Sequence, residues 1–86
     1  MKITKRDQKK IEQLFSNLTK YRRDRNENQT EFWRRFGVGQ SAGSRYEAGR
    51  EIPMSTRMLL ILYALEVLDD SLLSTAVNLG DNEIGV

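Results

Sequence analysis

Hydrophobic residues in the N-terminal third of the chain recur at steps of three and four positions, the spacing of one face of an α-helix. They are Ile11, Leu14, Phe15, Leu18 and Tyr21. We predict one long helix over about residues 5–25, either continuous or broken near residues 16–17. Thr4 and Asp7 have the spacing of a capping box at its start.

Two short helices separated by a three-residue turn are predicted next. The first covers about residues 29–36 and follows Asn28, a favourable N-cap residue. The turn, residues 37–39, has the sequence Gly-Val-Gly. The second helix covers residues 40–48 and ends at Gly49, because glycine readily adopts the left-handed conformation that closes a helix.

The C-terminal third contains the pattern of two more helices. Pro53 fits the first turn of a helix that runs to about Leu68. The aspartates 69–70 can cap a last helix that closes at Gly80, and the residues after it look frayed. No segment alternates like a strand. We therefore predict an all-α fold of four to five short helices with a longer N-terminal helix, forming one domain over residues 1–86.

The helix after Pro53 has more apolar side chains than one face can carry. They are Leu59, Leu60, Ile61, Leu62, Tyr63, Leu65, Val67 and Leu68. One interpretation is a homodimer surface formed by the C-terminal helices, about residues 54–79. The other interpretation is that the last helix packs over the additional apolar side chains of this helix.

Composition narrows the classes of function. The sequence has no Cys and no His. Disulfides, thiolate chemistry and the commonest general base and metal ligand are therefore absent. We expect no enzyme, no cofactor and no metal site, and no small-molecule ligand is evident.

Charge is distributed unevenly along the chain. Residues 1–50 hold thirteen Lys/Arg against six Asp/Glu, a balance of +7, whereas residues 51–86 have a balance of −5. This asymmetry suits a module that presents a basic face to a polyanion, although a solvated helix surface would look similar.

No apolar stretch approaches the roughly 18 residues that a membrane span needs. The basic N-terminus leads into a charged segment rather than an apolar signal core. We expect no membrane partner and a cytoplasmic, nucleoid-associated protein.

Two short helices joined by a tight turn with glycine form the helix-turn-helix pattern, in which the second helix enters the DNA major groove. The segment also resembles the lambda-repressor-like, Xre/Cro-type helix-turn-helix family over roughly residues 14–68. The matching positions are Gln29, Gly37-Val38, Gln40-Ser41, Ser44-Arg45-Tyr46-Glu47 and Gly49.

This resemblance implies which residues touch the bases. Gln40 and Ser41, and one turn later Ser44 and Arg45, match positions that reach base edges. Their chemistry agrees, because Gln can pair with adenine, Arg with guanine, and Ser is a short adaptable partner.

The resemblance also implies phosphate contacts. Gln29 would bind a phosphate and brace the recognition helix, and Arg50 would hold another. Arg34, Arg35 and Arg57 are further candidates, the alternative for Arg34 and Arg35 being plain solvated charge.

Arg22 and Glu47 match positions that pair in many family members. We interpret them as a structural pair that links the first helix to the end of the recognition helix.

Two residues depart from the family pattern. Trp33 occupies a position where a small residue is usual, and Gly43 one where a branched apolar residue is usual. Our hypothesis is that the Trp33 ring fills the space that Gly43 leaves, which conserves core volume. The alternative is an exposed Trp33 that contacts DNA or a partner.

Together these features predict a sequence-specific double-stranded DNA-binding regulator, a repressor from a bacterium, phage or mobile element. The alternative is a protein-interaction module on the same fold, such as an antitoxin or anti-regulator.

Overall fold

The computed structural model describes the backbone of residues 2–84 and the side chains of residues 2–80. Within residues 2–84 there are six α-helices and no strand, which confirms the predicted all-α class. The helices are α1 (Lys5–Ser16), α2 (Leu18–Asp24), α3 (Gln29–Arg34), α4 (Gln40–Glu47), α5 (Met54–Ala64) and α6 (Asp70–Ile84). None of the helices in this part of the chain is long and apolar enough to cross a membrane.

Asn17 divides the predicted N-terminal helix in two, so the interpretation with a break is correct. Its backbone is extended, with φ −156°, and its side chain accepts a hydrogen bond from the Lys20 N–H at 3.0 Å. The residue therefore caps α2 rather than continuing α1. At the start of α1, Thr4 and Asp7 form the predicted capping box through two bonds of 3.1 Å.

The two motif helices are present with slightly shorter bounds than predicted. The Asn28 side chain caps α3 by accepting from the Glu31 N–H at 2.8 Å. α3 ends at Arg34 and the chain turns through Gly37, whose φ is +73°. Gly49, at φ +107°, follows α4 and reverses the chain there.

The predicted end of the fourth helix at Leu68 is wrong. α5 stops at Ala64 because Glu66 adopts a left-handed conformation, φ +63°, and the amides of Val67 and Leu68 turn back to the Leu62 carbonyl at 3.0 and 3.3 Å. At the other end of α5, Pro53 is the N-cap residue rather than part of the first turn.

The predicted close of the last helix at Gly80 is also wrong. α6 continues through Gly80 to Ile84, since one glycine inside a helix costs only about 1 kcal/mol. The predicted cap is correct, because the Asp69 side chain accepts from the Leu72 N–H at 2.8 Å. The fraying that we predicted after Gly80 does not extend to the backbone of residues 81–84, and residues 85–86 lie outside the described part of the chain.

One core joins all six helices. Its buried members are Leu14, Leu18, Phe32, Trp33, Phe36, Ile52, Leu60, Tyr63, Ala64 and Leu73. The rings of Phe32 and Trp33 on α3 and of Phe36 just after it meet edge to face, as do those of Phe36 and Tyr63, with centroids 5.2–6.4 Å apart. α3 packs on α4, and Leu73 anchors α6 to the body.

Candidate nucleic-acid interface

α4 has one polar face directed at solvent. Gln40, Ser41 and Arg45 are exposed, and Ser44 is half-buried beside them. Residues three and four positions apart on a helix are neighbours, so Ser44 lies beside Gln40 and Ser41, and Arg45 lies beside Ser41; the four side chains form one patch. The opposite side of α4 is closed against the body, where Gly43 is buried. The helix therefore presents four hydrogen-bonding side chains on a rigid support.

Gln29 joins this patch to the first motif helix. The Gln40 Nε2 donates to Gln29 Oε1 at 2.8 Å, and Gln29 Nε2 in turn donates to Glu47 Oε1 at 3.3 Å. Gln29 is half-buried at the first position of α3. It thereby braces α4 at both of its ends and still has a second N–H.

The carboxylate of Glu47 receives donors from two other helices, α2 and α3. Arg22 donates through Nε at 2.8 Å and Nη2 at 3.0 Å, Trp33 Nε1 donates at 2.7 Å, Thr19 Oγ1 at 2.9 Å, and Gln29 adds its amide. The Arg22 and Glu47 side chains are only 9% and 4% exposed. The structure thus places these two residues in direct bidentate contact between α2 and the end of α4.

The environment of Glu47 acts on its pKa in two opposite directions. Burial raises the pKa because it disfavours the charged form, whereas the hydrogen bonds from Arg22, Trp33, Thr19 and Gln29 lower it. The hydrogen bonds prevail, and the pKa of Glu47 falls from 4.5 to about 2. Glu47 is therefore an anion, and hence only an acceptor, throughout the neutral range.

The packing hypothesis for Trp33 and Gly43 is correct. Trp33 is 0% exposed, which excludes the alternative of a surface tryptophan. A Cβ atom added to Gly43 would lie 2.3 Å from Cγ and Cδ1 of the indole ring, far inside van der Waals contact. The ring thus occupies the space that a side chain at position 43 would need.

Two of the arginines expected at phosphates lie at the surface. Arg34 and Arg50 are exposed, and Arg34 also lines an open cleft of about 460 Å³ between α3 and α6. Arg57 is exposed as well, and its guanidinium carbon lies 5.0 Å from the centroid of the Phe15 ring.

The internal contacts of Arg35 argue against the phosphate contact expected of it. Its side chain is 14% exposed and forms ion pairs with Glu27 and Asp70. The guanidinium carbon also lies 5.2 Å from the centroid of the Tyr63 ring. These contacts pair the charge of Arg35 within the molecule and tie α6 to the end of α3.

Several hydrogen bonds around this site could not be predicted from the sequence. Thr19 lies one turn before Arg22, so both are on one helix face. This spacing is the only feature of the sequence that suggests Thr19 could share the carboxylate of Glu47 with Arg22. The bond from Trp33 to Glu47 joins residues 14 positions apart. The bond between Tyr63 and Asp70 crosses between α5 and α6. Such contacts depend on how the helices cross.

The side chains that the structure describes include no group of three or more potential metal ligands of the Asp, Glu, His or Cys type. The surface of α4 offers hydrogen-bonding groups and charge. Amides, hydroxyls and guanidinium groups project from one helix, with further arginines beside it.

A comparison with protein families gives a match over the motif. Residues 19–63 match the model described as the RsaL-like HTH domain, a range that covers just over half of the chain. The match begins in α2, contains α3 and α4, and ends near the end of α5. No curated protein and no solved structure shows significant similarity to the chain.

Proposed function

The chain belongs to the RsaL-like HTH domain family, and from this premise we propose that it is a sequence-specific regulator that binds double-stranded DNA with α4 in the major groove. The observation that carries the proposal is the polar patch on α4. Gln29 holds Gln40 at the start of this helix and also bonds to Glu47 at its end. A recognition helix needs this combination of free polar groups and a fixed orientation.

The proposal assigns base contacts to four residues. Gln40 keeps its Oε1 and one N–H free. In the major groove the Oε1 can accept from the N6 amino group of adenine while the N–H donates to N7. Arg45 can donate two parallel hydrogen bonds to guanine. Ser41, exposed, and Ser44, half-buried, lie between them and suit shorter contacts.

Phosphate contacts are assigned to Gln29, Arg34 and Arg50. Gln29 has a second amide N–H and stands at the first position of α3, where backbone amides also favour an anion. Arg34 and Arg50 are exposed and carry no ion pair among the described residues. Such contacts fix the position of the protein on DNA without distinguishing sequences.

The experiment is selection of binding sites from random duplex DNA at fixed salt, with the wild type, Gln40→Ala and Arg45→Ala. We expect an enriched motif that relaxes at one position in each variant, at a cost of about 1–3 kcal/mol per lost base contact. Lys20→Ala is the matched control, because Lys20 is exposed on α2 and paired with Asp24 at 2.7 Å. This control removes one positive charge and should leave the motif unchanged.

Absence of an enriched motif would contradict the proposal. Weak, salt-sensitive binding that none of the three substitutions alters would mean that the basic surface binds DNA without specificity.

We propose further that the protein acts as a repressor, in line with its resemblance to Xre/Cro-type regulators of bacteria and phages. It would then act in the cytoplasm, on the nucleoid. A promoter that overlaps the selected site should be silenced by the wild type and released by Gln40→Ala. Activation by the wild type would contradict this part of the proposal.

A homodimer through the C-terminal helices is also proposed. α6 covers part of the apolar surplus through Leu73, but Met54 and Met58 on α5 and Leu72 and Leu79 on α6 remain exposed, up to 69% for Met54. Dimerisation would place two recognition helices on a two-fold DNA site. Light scattering at tens of micromolar should give twice the monomer mass, falling to one monomer mass in Leu72→Ser together with Leu79→Ser. A monomeric wild type would contradict it.

The same exposed apolar residues favour a second candidate function, a protein-interaction module such as an antitoxin or anti-regulator. This function would be supported by a wild type that selects no DNA motif but binds a defined protein through α5 and α6.

A further inference from the structure

Trp33 contributes more than volume to the structure. Its indole N–H donates to Glu47 Oε2 at 2.7 Å, while the ring is completely buried against Gly43. Phenylalanine or leucine could fill most of the same space, but neither has a donor. The side chain that replaces the missing core volume at Gly43 therefore also holds the carboxylate at the end of α4.

The two oxygens of Glu47 have different partners. Oε2 receives Trp33 and the Arg22 Nε, whereas Oε1 receives the Arg22 Nη2, Thr19 and Gln29. The guanidinium group thus donates to both oxygens, whereas the indole donates to Oε2 alone. The other oxygen is left directed at Gln29.

An ionised carboxylate only accepts hydrogen bonds, and this sets the direction of the bonds that follow. Gln29 must turn its amide N–H toward Glu47, so its carbonyl oxygen faces Gln40. Gln40 must then turn its own N–H toward Gln29, as the 2.8 Å bond between them requires. The carbonyl oxygen of Gln40 is left free at the surface, in one of the two orientations that an amide can adopt.

We infer that Trp33 is a positioning residue for base recognition, which acts through Glu47 and Gln29 to fix the orientation of the Gln40 amide. The inference rests on the proposed function, because it concerns the base that Gln40 contacts. Trp33 touches no DNA; it determines which end of the Gln40 amide is presented to the major groove. Without the indole donor, Glu47 Oε2 keeps only the Arg22 Nε, so the carboxylate is held less firmly against Gln29 and Gln40 can present either end.

The test compares Trp33→Phe with Phe36→Leu, each in the full chain. Trp33→Phe keeps an aromatic ring but removes the N–H. Phe36→Leu is the matched control, because Phe36 is also buried in the core and makes no hydrogen bond to Glu47. Site selection gives the base preference at every position of the motif, and NMR titration gives the pKa of Glu47.

In Trp33→Phe we expect the preference at the base contacted by Gln40 to fall on the order of tenfold, the discrimination that one amide contact supplies. The preferences at the other positions should stay within about twofold, and the pKa of Glu47 should rise because a donor is lost. Phe36→Leu should change neither the pattern of preferences nor that pKa. In a Gln40→Ala background, Trp33→Phe should add no further loss at that base.

A benzothienyl analogue of tryptophan at position 33 keeps the shape of the ring and replaces the N–H by sulfur. It should reproduce the loss seen with Trp33→Phe, even if the phenylalanine variant folds poorly. Tryptophan incorporated by the same route should restore the preference.

Three outcomes would overturn the inference. If Gln40→Ala relaxes the motif while the benzothienyl analogue leaves it intact, the proposed function stands and the role of Trp33 is refuted. If Trp33→Phe and Phe36→Leu weaken all positions alike, the role of Trp33 is only structural. If the wild type selects no motif at all, the proposed function and this inference both fail.

Discussion

At the scale of single residues, the stability of the motif depends strongly on one buried anion. Glu47 is 4% exposed and links α2, α3 and α4 through its hydrogen bonds. A buried carboxylate is costly to desolvate unless several donors compensate for the lost water. Here the donors more than compensate, so the folded protein binds a proton at this site much less readily than the unfolded chain.

The pH dependence of stability should therefore reflect Glu47. Its folded pKa of about 2 is lower than the ordinary 4.5, so the unfolded state binds more protons between these values and stability falls as the pH drops through this window. The contribution is about 3 kcal/mol above pH 5 and is lost toward pH 2. Urea denaturation across this range measures it. Glu47→Gln should lack this part of the dependence, and equal slopes for both proteins would contradict the prediction.

The exchange of volume between Trp33 and Gly43 gives a second residue-scale prediction. Trp33→Ala should lower the free energy of unfolding by about 3–5 kcal/mol, because it opens a cavity. Gly43→Ile should also destabilise, because its Cβ would overlap the indole ring. Chemical denaturation of the single and double variants measures the coupling. The double variant should be more stable than the sum of the single losses implies, and simple additivity would refute the packing exchange.

At the scale of elements, the ends of the helices are set by local chemistry, and Glu66 is a strained exception. Asn17, Asn28 and Asp69 each accept a hydrogen bond from the backbone of the helix they precede. Gly49 closes α4 in the left-handed region without strain, because it lacks a Cβ. Glu66 ends α5 in the same region with a full side chain, and L-residues adopt that conformation at a cost of about 1–2 kcal/mol.

Substitutions at these two left-handed positions should therefore act in opposite directions. Glu66→Gly should raise the free energy of unfolding by about 0.5–1 kcal/mol, because relief of strain exceeds the entropy that glycine adds to the unfolded chain. Gly49→Ala should lower it by about 1–2 kcal/mol, since φ is +107° there. Thermal and urea denaturation measure both changes. A destabilised Glu66→Gly would mean that the side chain makes a compensating contact.

At the scale of the whole molecule, the N-terminal part of the chain is basic and the C-terminal part is acidic, and one ion pair between described residues joins the two. Arg35 at the end of α3 binds Glu27 and, across the molecule, Asp70 at the start of α6. Arg25 donates to Tyr63, and Tyr63 donates to Asp70 at 3.3 Å. This cluster fastens the acidic last helix to the basic body.

The arginines should separate into two classes when DNA binding is measured as a function of salt. Arg34→Ala and Arg50→Ala should each lower the slope of log K against log salt by about 0.9, the value for one lost phosphate contact. Arg35→Ala should leave the slope unchanged and lower the free energy of unfolding by about 2 kcal/mol, because Glu27 loses one of its two arginine partners in a partly buried site and keeps only Arg25. Fluorescence anisotropy and urea denaturation measure the two quantities. A lower slope in Arg35→Ala would restore the phosphate role that the structure argues against.

The sequence predicts much of the fold because the governing signals are local. Apolar spacing located the helices, and Thr4, Asn28 and Gly49 marked three of their ends correctly. Predictions failed where a local signal was weak or overridden. α5 ends early because Glu66 adopts a left-handed conformation that is unusual for glutamate, and α6 continues through Gly80 although glycine often ends a helix. At the candidate interface, the exposure of Gln40 and Arg45 follows from helix periodicity, whereas the internal role of Arg35 does not.

The sequence by itself determined the helical class, the helix-turn-helix and the polar face of α4, because these depend on residues within a few positions of one another. Only the tertiary structure decided that Arg35 turns inward and that Trp33 donates to Glu47. Those outcomes depend on how α3 crosses α4 and where α6 docks, which is set by the packing of the entire core. The physical reason is one of range: caps and periodicity act over one or two helical turns, whereas a buried hydrogen bond between distant residues forms only after the helices have met.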